Sequence, residues 1–204
     1  MKKFLSLPVE KQNIIINAAL IAFGADGYKK ASVSDIAIAA GISKAMVFHY
    51  FGTKKSLYLY LINLCGSILM NEVDREFNNA ITDFFDRIKL AANIEISIME
   101  NHPAIFSFLN SVYFENDSEV KEDIESIFSG AESFRSKIAF DGMDASKFKD
   151  SIDPKLVMKM LTWITEGLIC KSPGKAGFDI EVLRREFNEC IALLKNNLYK
   201  EEYL

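Results

Sequence analysis

Residues 32–57 read SVSDIAIAAGISKAMVFHYFGTKKSL and decide the fold of the N-terminal part of this chain. Two short helical patterns meet at Gly41, because a glycine can adopt the left-handed backbone conformation that a tight turn between helices requires. Ser32 and Ser43 precede the two patterns, and serine is a preferred N-cap residue. Ala37 is small, so the two helices can approach each other closely. The stretch therefore predicts two short, closely packed helices.

The apolar residues of this stretch are spaced to fill the space between the two helices. They are Ile36, Ala40, Ile42 and Val47. This is the helix-turn-helix pattern, in which the second helix enters the major groove of DNA. The alternative is a helical hairpin inside a larger core. A core hairpin does not need the exposed Ser-Lys-Ala-Met face of residues 43–46 or the basic helix start that follows, so we favour the first interpretation.

The charge of the chain is divided unevenly along its length. The 204 residues are half hydrophobic and one quarter charged, which indicates a soluble globular protein and excludes a disordered or fibrous one. The net charge is −4, yet residues 1–60 contain eight lysines and three acidic residues. Residues 61–204 contain 16 basic and 25 acidic residues. A basic segment beside an acidic one indicates a nucleic acid or another anionic partner.

Several classes of protein are disfavoured by what the sequence lacks. Three cysteines far apart, Cys65, Cys170 and Cys190, form neither a metal-ligand pattern nor a disulfide framework. No nucleophile–base pair, metal set or phosphate-binding loop is recognisable, so we expect no enzyme, no metal and no cofactor. No apolar run approaches the ~18 residues of a membrane span, and we expect a cytoplasmic protein without a membrane partner.

Helical periodicity extends over almost the whole chain, which predicts an all-α fold. We expect a three-helix DNA-binding domain at residues 1–53 and a helical-bundle domain for ligand binding and dimerisation at residues 54–204. The predicted helices cover approximately residues 8–25, 33–40, 44–50, 54–77, 80–100, 103–114, 118–140, 154–170 and 179–198.

A set of residues in order makes the N-terminal segment resemble a known family. They are Ala18, Ala19, Phe23, Gly27, Tyr28, Val33, Ile36, Ala37, Ala40, Gly41, Ile42, Ser43, Phe48, Tyr50, Phe51, Lys54 and Leu57. Over residues 8–60 this resembles the DNA-binding domain of the TetR family of bacterial transcriptional regulators. The resemblance implies a repressor that binds a palindromic operator as a homodimer and is released by a small-molecule effector. Two positions depart from the family pattern, since Phe48 replaces the usual Tyr and Ala45 replaces a frequent Gly.

The candidate DNA contacts lie on the two helices of the motif and at the start of the next one. Lys44 can donate to guanine, and Ala45 and Met46 can pack on thymine methyl groups. Tyr50 offers either a hydroxyl to phosphate or a ring to the core, and Lys54 begins a helix, where phosphate is favoured. The complete candidate set is Ser32, Ser34, Ser43, Lys44, Ala45, Met46, Phe48, His49, Tyr50 and Lys54.

The acidic remainder is rich in aromatic and flexible apolar residues, which can enclose a pocket for a partly apolar effector. Plain core packing is the alternative for each of them. Glu95 either points inward, where a buried carboxylate needs a partner, or lies at a helix edge. The candidate pocket residues are Glu95, Met99, Phe106, Tyr113, Phe128 and Trp163.

The last two predicted helices carry apolar stripes. The resemblance implies that these helices form a four-helix dimer interface, for which the candidates are Leu161, Ile164, Leu168, Phe187, Ile191 and Leu194. Dimerisation also suits the reading of two major-groove turns ~34 Å apart. A helical ligand-binding or protein-interaction module that lacks DNA binding remains the alternative function.

Overall fold

A computed structural model describes residues 1–170 and 180–204 of the chain. Within these ranges the protein is built from helices joined by short connections, and they contain no strand beyond one isolated bridge between Phe148 and Tyr199. The helices are α1 (Lys2–Leu5), α2 (Val9–Lys30), α3 (Val33–Ala39), α4 (Lys44–Phe51), α5 (Lys54–Glu76), α6 (Phe84–Asn101), α7 (Pro103–Tyr113), α8 (Lys121–Phe140), α9 (Pro154–Cys170) and α10 (Ile180–Leu198). The all-α prediction is confirmed.

The nine predicted helices are all present, with two differences near the N-terminus. Helical backbone is interrupted at Gly27, whose φ of 70° and ψ of 177° are not helical, but it resumes after this single residue and continues to Lys30, beyond the predicted end at about residue 25. The four-residue helix α1 was not predicted, since so short a segment has no periodicity to detect. Cys65 and Cys190 are free thiols, whereas the side chain of Cys170 lies outside the described part of the structure.

Packing divides the chain into two compact units. The first contains Met1–Leu69 and Asn101–Ala131, and the second contains Met70–Glu100 and Glu132–Leu204. Each unit is thus assembled from two separate stretches of chain. The predicted domain boundary between residues 53 and 54 separates DNA binding from ligand binding and dimerisation. This division of function stays a prediction.

The core of the first unit joins the N-terminal helices to α7. Helix α2 packs on α7 so closely that a Cβ atom on Gly24 would lie 2.9 Å from the Ser107 hydroxyl and 3.0 Å from the Phe108 backbone nitrogen. The rings of Phe23 and Tyr58 meet edge to face, with centroids 4.9 Å apart, and Phe108 packs on both. These contacts hold the helix that supports α3 and α4.

The second unit has its own aromatic core. Phe148 and Tyr199 meet edge to face with centroids 4.8 Å apart, and Phe84 and Phe85 pack against them. The guanidinium of Arg87 is buried here, where it donates to two backbone carbonyls and lies over the Phe77 ring. A buried charge needs hydrogen-bond partners, and these two bonds connect the start of α6 to the backbone at Ile81 and Ile138.

Candidate nucleic-acid interface

The turn between α3 and α4 has the geometry that the sequence predicts. The Ser32 hydroxyl accepts a hydrogen bond from the backbone N–H of Asp35 at 3.3 Å. The Ser43 hydroxyl accepts from the N–H of Met46 at 3.2 Å. Gly41 has a φ of +65°, as a tight helix-to-helix turn requires. Both predicted N-caps are confirmed, so local sequence fixes where each helix of the motif begins.

Helix α4 has one face in the core and one face in solvent. Val47, Tyr50 and Phe51 are buried, and half-buried Met46 packs against the same core. The exposed face consists of Ser43, Lys44, Ala45, Phe48 and His49. These positions recur with helical spacing, so five of the candidate DNA contacts form one continuous surface.

The candidates on α3 and within α4 are placed less uniformly. Ser32 and Ser34 are half-buried at the first turn of α3, and the Ser32 hydroxyl is engaged as the cap. Tyr50 is only 5% exposed, and its ring packs against Phe4 with centroids 6.1 Å apart. Of its two alternatives, the structure favours the packing role for the Tyr50 ring.

The two lysines at the start of α5 already have partners inside the protein. The Lys54 ammonium donates to the Lys29 carbonyl at 3.1 Å and lies 5.0 Å from the centroid of the Tyr28 ring. The Lys55 ammonium lies 2.7 Å from an Asp123 carboxylate oxygen, and this hydrogen bond raises the pKa of Lys55. Phosphate binding by Lys54 therefore competes with existing contacts, which sequence reasoning did not anticipate.

The candidate effector residues fall into two groups. Glu95 and Met99 are half-buried on α6 in the second unit, and Trp163 in the same unit is 60% exposed. Burial raises the pKa of Glu95, and the nearby positive charge of Arg135 opposes that effect. Phe106 and Tyr113, both half-buried, belong to the first unit, together with the exposed Phe128. The six residues thus do not form a single cluster within either unit.

The candidate dimer residues lie mainly inside the second unit. Leu161, Phe187 and Ile191 are buried in its core, and Leu168 and Leu194 pack against that core. Ile164 is half-buried. A side chain in the core of one subunit has little surface left to contact a second copy. The apolar stripe chosen from the sequence therefore packs largely within the subunit.

A neighbouring row of apolar side chains is exposed on the same two helices. Leu156, Met160 and Trp163 follow one another on α9 at spacings of four and three residues, which places them on one face. Gly167 continues this row, and Leu193 is the large exposed apolar residue of α10. The sequence named Trp163 as a pocket residue, but here it belongs to an exposed apolar surface.

No group of three or more His, Cys, Asp or Glu side chains in residues 1–170 and 180–204 is arranged to hold a metal ion. None of the helices in that part of the chain is long and apolar enough to cross a membrane.

Comparison with known proteins identifies a common architecture. Residues 15–61 match the family model for bacterial regulatory proteins of the tetR family. The HTH-type transcriptional regulator BetI of Agrobacterium fabrum is 33% identical over 92 residues, which cover 45% of this chain and 43% of that protein. The matched region thus covers less than half of the length of this relative.

Two further proteins match over longer stretches. The fatty acid metabolism regulator protein of Bacillus subtilis is 20% identical over 147 residues, which cover 72% of this chain and 75% of that protein. The structure of the fatty acid degradation regulator FadR from Bacillus halodurans superposes with a TM-score of 0.70 at 19% identity, covering 88% of this chain and 96% of that chain. The likeness to the solved structure shows a shared fold.

Proposed function

We propose that this chain is a DNA-binding transcriptional regulator of the TetR family, whose model residues 15–61 match, and that it represses transcription by binding a roughly palindromic operator as a homodimer. A small, partly apolar effector releases it from DNA. The observation that carries this proposal is the exposed face of α4, whose polar and basic residues begin at the helix N-terminus. In helix-turn-helix proteins the first turn of this helix reaches the base edges.

Base recognition is assigned to the first two turns of α4. Lys44 is exposed and donates to guanine O6 and N7, and Ala45 packs on a thymine methyl group. Phe48 and His49 occupy the next turn of the same exposed face. Phe48 lacks a hydroxyl, so it contributes apolar contact and not a phosphate hydrogen bond.

Dimerisation is assigned to the exposed apolar row of α9 and α10. Trp163 is 60% exposed and Leu193 is 65% exposed. Large apolar side chains at this level of exposure, repeated along one helix face, favour a protein interface. Gly167 lies in the same row and would let a second helix approach closely. This surface takes the place of the buried stripe as the proposed interface.

The effector site is assigned to the second unit near Glu95 and Met99. Both side chains are half-buried on α6, and this burial raises the pKa of the Glu95 carboxyl group. Such a group is satisfied when a ligand supplies a hydrogen-bond donor or a positive charge. Phe106, Tyr113 and Phe128 stay separate candidates in the first unit. Release from DNA requires that the effector prefers the state that does not fit the operator.

The DNA-binding proposal is tested by selection from a library of randomised duplexes with the purified full-length protein. We expect enrichment of a palindrome whose half-sites are about one helical turn apart, and binding that weakens steeply with salt. A reporter gene placed behind the selected site should be repressed when the protein is present. Failure to enrich any sequence would overturn the proposal.

The effector proposal is tested by thermal shift and by release from the selected duplex. Because two relatives are named as regulators of fatty acid metabolism and degradation, medium- and long-chain fatty acids and their coenzyme A thioesters are the first probes, followed by amphipathic amines. An effector should raise the melting temperature and lower the affinity for DNA. Replacement Glu95→Gln should change the effector preference and leave the affinity for DNA unchanged.

A further inference from the structure

We propose that Lys2 and Lys3 form a second DNA-contacting site, which binds backbone phosphates beside the half-site that α4 reads. This inference rests on the proposed function, because it requires α4 to lie in the major groove. It adds a binding site that lies outside the helix-turn-helix motif and outside the segment that matches the family model, residues 15–61.

The first residues of the chain are fixed against α4, which is the recognition helix of the proposed DNA-binding motif. Phe4 is fully buried, and its ring lies 4.7 Å from the Phe51 ring and 6.1 Å from the Tyr50 ring, measured between centroids. The Met1 nitrogen donates to the Tyr50 carbonyl oxygen at 2.7 Å. Helix α1 is therefore attached to the last turn of α4 by a buried aromatic side chain and by a hydrogen bond.

The other end of this segment is tied to α2. The Gln12 side-chain amide donates to the Leu7 carbonyl at 2.9 Å, and the Ser6 hydroxyl donates to the Lys3 carbonyl at 2.9 Å. With both ends anchored, the backbone of Lys2 and Lys3 moves with the recognition helix. The two ammonium groups are thus carried on an ordered element and not on a free tail.

The two lysines are exposed, and their side chains make no hydrogen bond or ion pair within the described residues. The lysines at the start of α5 differ in this respect, since Lys54 and Lys55 are held by a backbone carbonyl and by Asp123. Among the lysines of α1, α4 and the start of α5, the unpaired side chains are therefore those of Lys2, Lys3 and Lys44. This distribution moves the expected phosphate contact from the start of α5 to α1.

The distances suit phosphate contacts at the edge of the groove. Consecutive Cα atoms are about 3.8 Å apart, so the Cα atoms of Lys2 and Lys3 lie within about 12 Å of the Tyr50 carbonyl that the Met1 nitrogen contacts. The major groove is about 12 Å wide and is bordered by phosphates on both sides. A lysine is a point charge on a flexible four-carbon stem, which suits phosphate and gives no base preference.

The test measures operator affinity of the full-length protein against salt concentration. The double variant Lys2→Gln with Lys3→Gln removes both charges and keeps the length of the side chains. We expect affinity at low salt to fall about tenfold. The slope of log affinity against log salt concentration should become smaller by about 0.9 for each lost contact. The double variant Lys2→Arg with Lys3→Arg should retain the wild-type slope. The matched control is Lys89→Gln with Lys137→Gln, two exposed lysines of α6 and α8 in the second unit, which should leave the slope unchanged.

The result expected is a uniform weakening across operator sequences with an unchanged consensus. Wild-type slope and affinity in the Lys2 and Lys3 glutamine variant would overturn the inference, as would an equal loss in the control variant of Lys89 and Lys137. A change in base preference would also overturn it, because phosphate contacts carry no sequence information. Failure of the wild-type protein to select any duplex is a different result, since it contradicts the proposed function itself.

Discussion

Helices α4 and α9 each have an exposed face, and the two faces differ in chemistry. The exposed face of α4 is mainly polar, with Ser43, Lys44 and His49, and it includes one aromatic ring, that of Phe48. The face of α9 is a row of large apolar side chains, including Met160 and Trp163. The first suits a charged, hydrated partner such as DNA, and the second suits a dehydrated contact with another protein surface.

A second contrast is between one exposed lysine of the first unit and two paired lysines of the second unit. The Lys44 side chain is exposed on α4. In the second unit, Lys147 and Lys195 are bonded to Asp83, which is 7% exposed. Positive charge is thus available for binding on α4, whereas these two lysines stabilise the fold of the second unit. The predictions below test this difference between the units.

The largest effect is expected from the double variant Trp163→Glu with Leu193→Glu. If the exposed apolar row is the dimer interface, two carboxylates per subunit must be buried there at a cost of several kcal/mol. We expect the dissociation constant of the dimer to rise about 1000-fold, or about 4 kcal/mol, as measured by sedimentation equilibrium. Val9→Glu, at a position 70% exposed in the first unit, is the control. A variant that remains dimeric would remove this row from the interface.

The second prediction concerns Asp83→Asn. Burial would raise the pKa of Asp83, but hydrogen bonds from the Asp86 N–H, Lys147 and Lys195 outweigh it and lower the pKa below its usual value. A carboxyl with a lowered pKa stabilises the fold above its unfolded-state pKa of about 3.9, and this contribution is lost as the pH falls through the folded-state value. We expect Asp83→Asn to cost about 3 kcal/mol of unfolding free energy at neutral pH.

Chemical denaturation at several pH values measures this cost. The curves of the wild type and of Asp83→Asn should converge in acid, below about pH 4. Asp150→Asn is the matched control, because Asp150 also pairs with a lysine but its side chain is 93% exposed. A cost that is equal for both variants, or independent of pH, would show that the ion pairs of Asp83 do not stabilise the second unit.

The third prediction concerns Lys44→Ala. Loss of a base contact at the first turn of α4 should weaken binding to the selected operator by about 2 kcal/mol and relax the preference at one base pair in each half-site. Competition binding against duplexes that vary at that position measures both effects. Lys11→Ala, at an exposed position of α2, should leave the base preference intact. An unchanged consensus for Lys44→Ala would remove this lysine from base reading.

The smallest effect is a gain from Phe48→Tyr. Phe48 is 39% exposed on the side of α4 that we propose contacts DNA, and a hydroxyl there can donate to phosphate. One ordinary hydrogen bond should tighten operator binding by about 1 kcal/mol, measured by titration at fixed salt. Phe114→Tyr, at a position 40% exposed in the same unit, is the control and should have no effect. No gain at Phe48 would place this ring away from the DNA backbone.

Features that depend on neighbouring residues could be predicted from the sequence. The caps at Ser32 and Ser43 join atoms three residues apart, so the hydroxyl residue and the helix start are visible together in the sequence. The positive φ of Gly41 follows equally from local geometry. For this reason the bounds of α3 and α4 agree with the prediction to within one residue.

Features that depend on distant residues could not be predicted in this way. The partner of Lys54 is the carbonyl of Lys29 and the partner of Lys55 is Asp123, and neither pairing has a signature in the sequence. On α9, Met160 and Leu161 are adjacent apolar residues, yet Leu161 is buried and Met160 is exposed. Periodicity identifies two apolar rows on such a helix, but only packing shows which row the subunit buries.

The close approach at Gly24 has a practical consequence for anyone who dissects this protein. The first unit includes residues 101–131, which follow residues 70–100 of the second unit in the chain. A fragment that ends near residue 60 would lack α7 and would leave the rings of Phe23 and Tyr58 without Phe108. We therefore expect a fragment limited to residues 15–61, the segment that matches the family model, to be less stable than the same segment within the full chain, so operator affinity is best measured with the full chain.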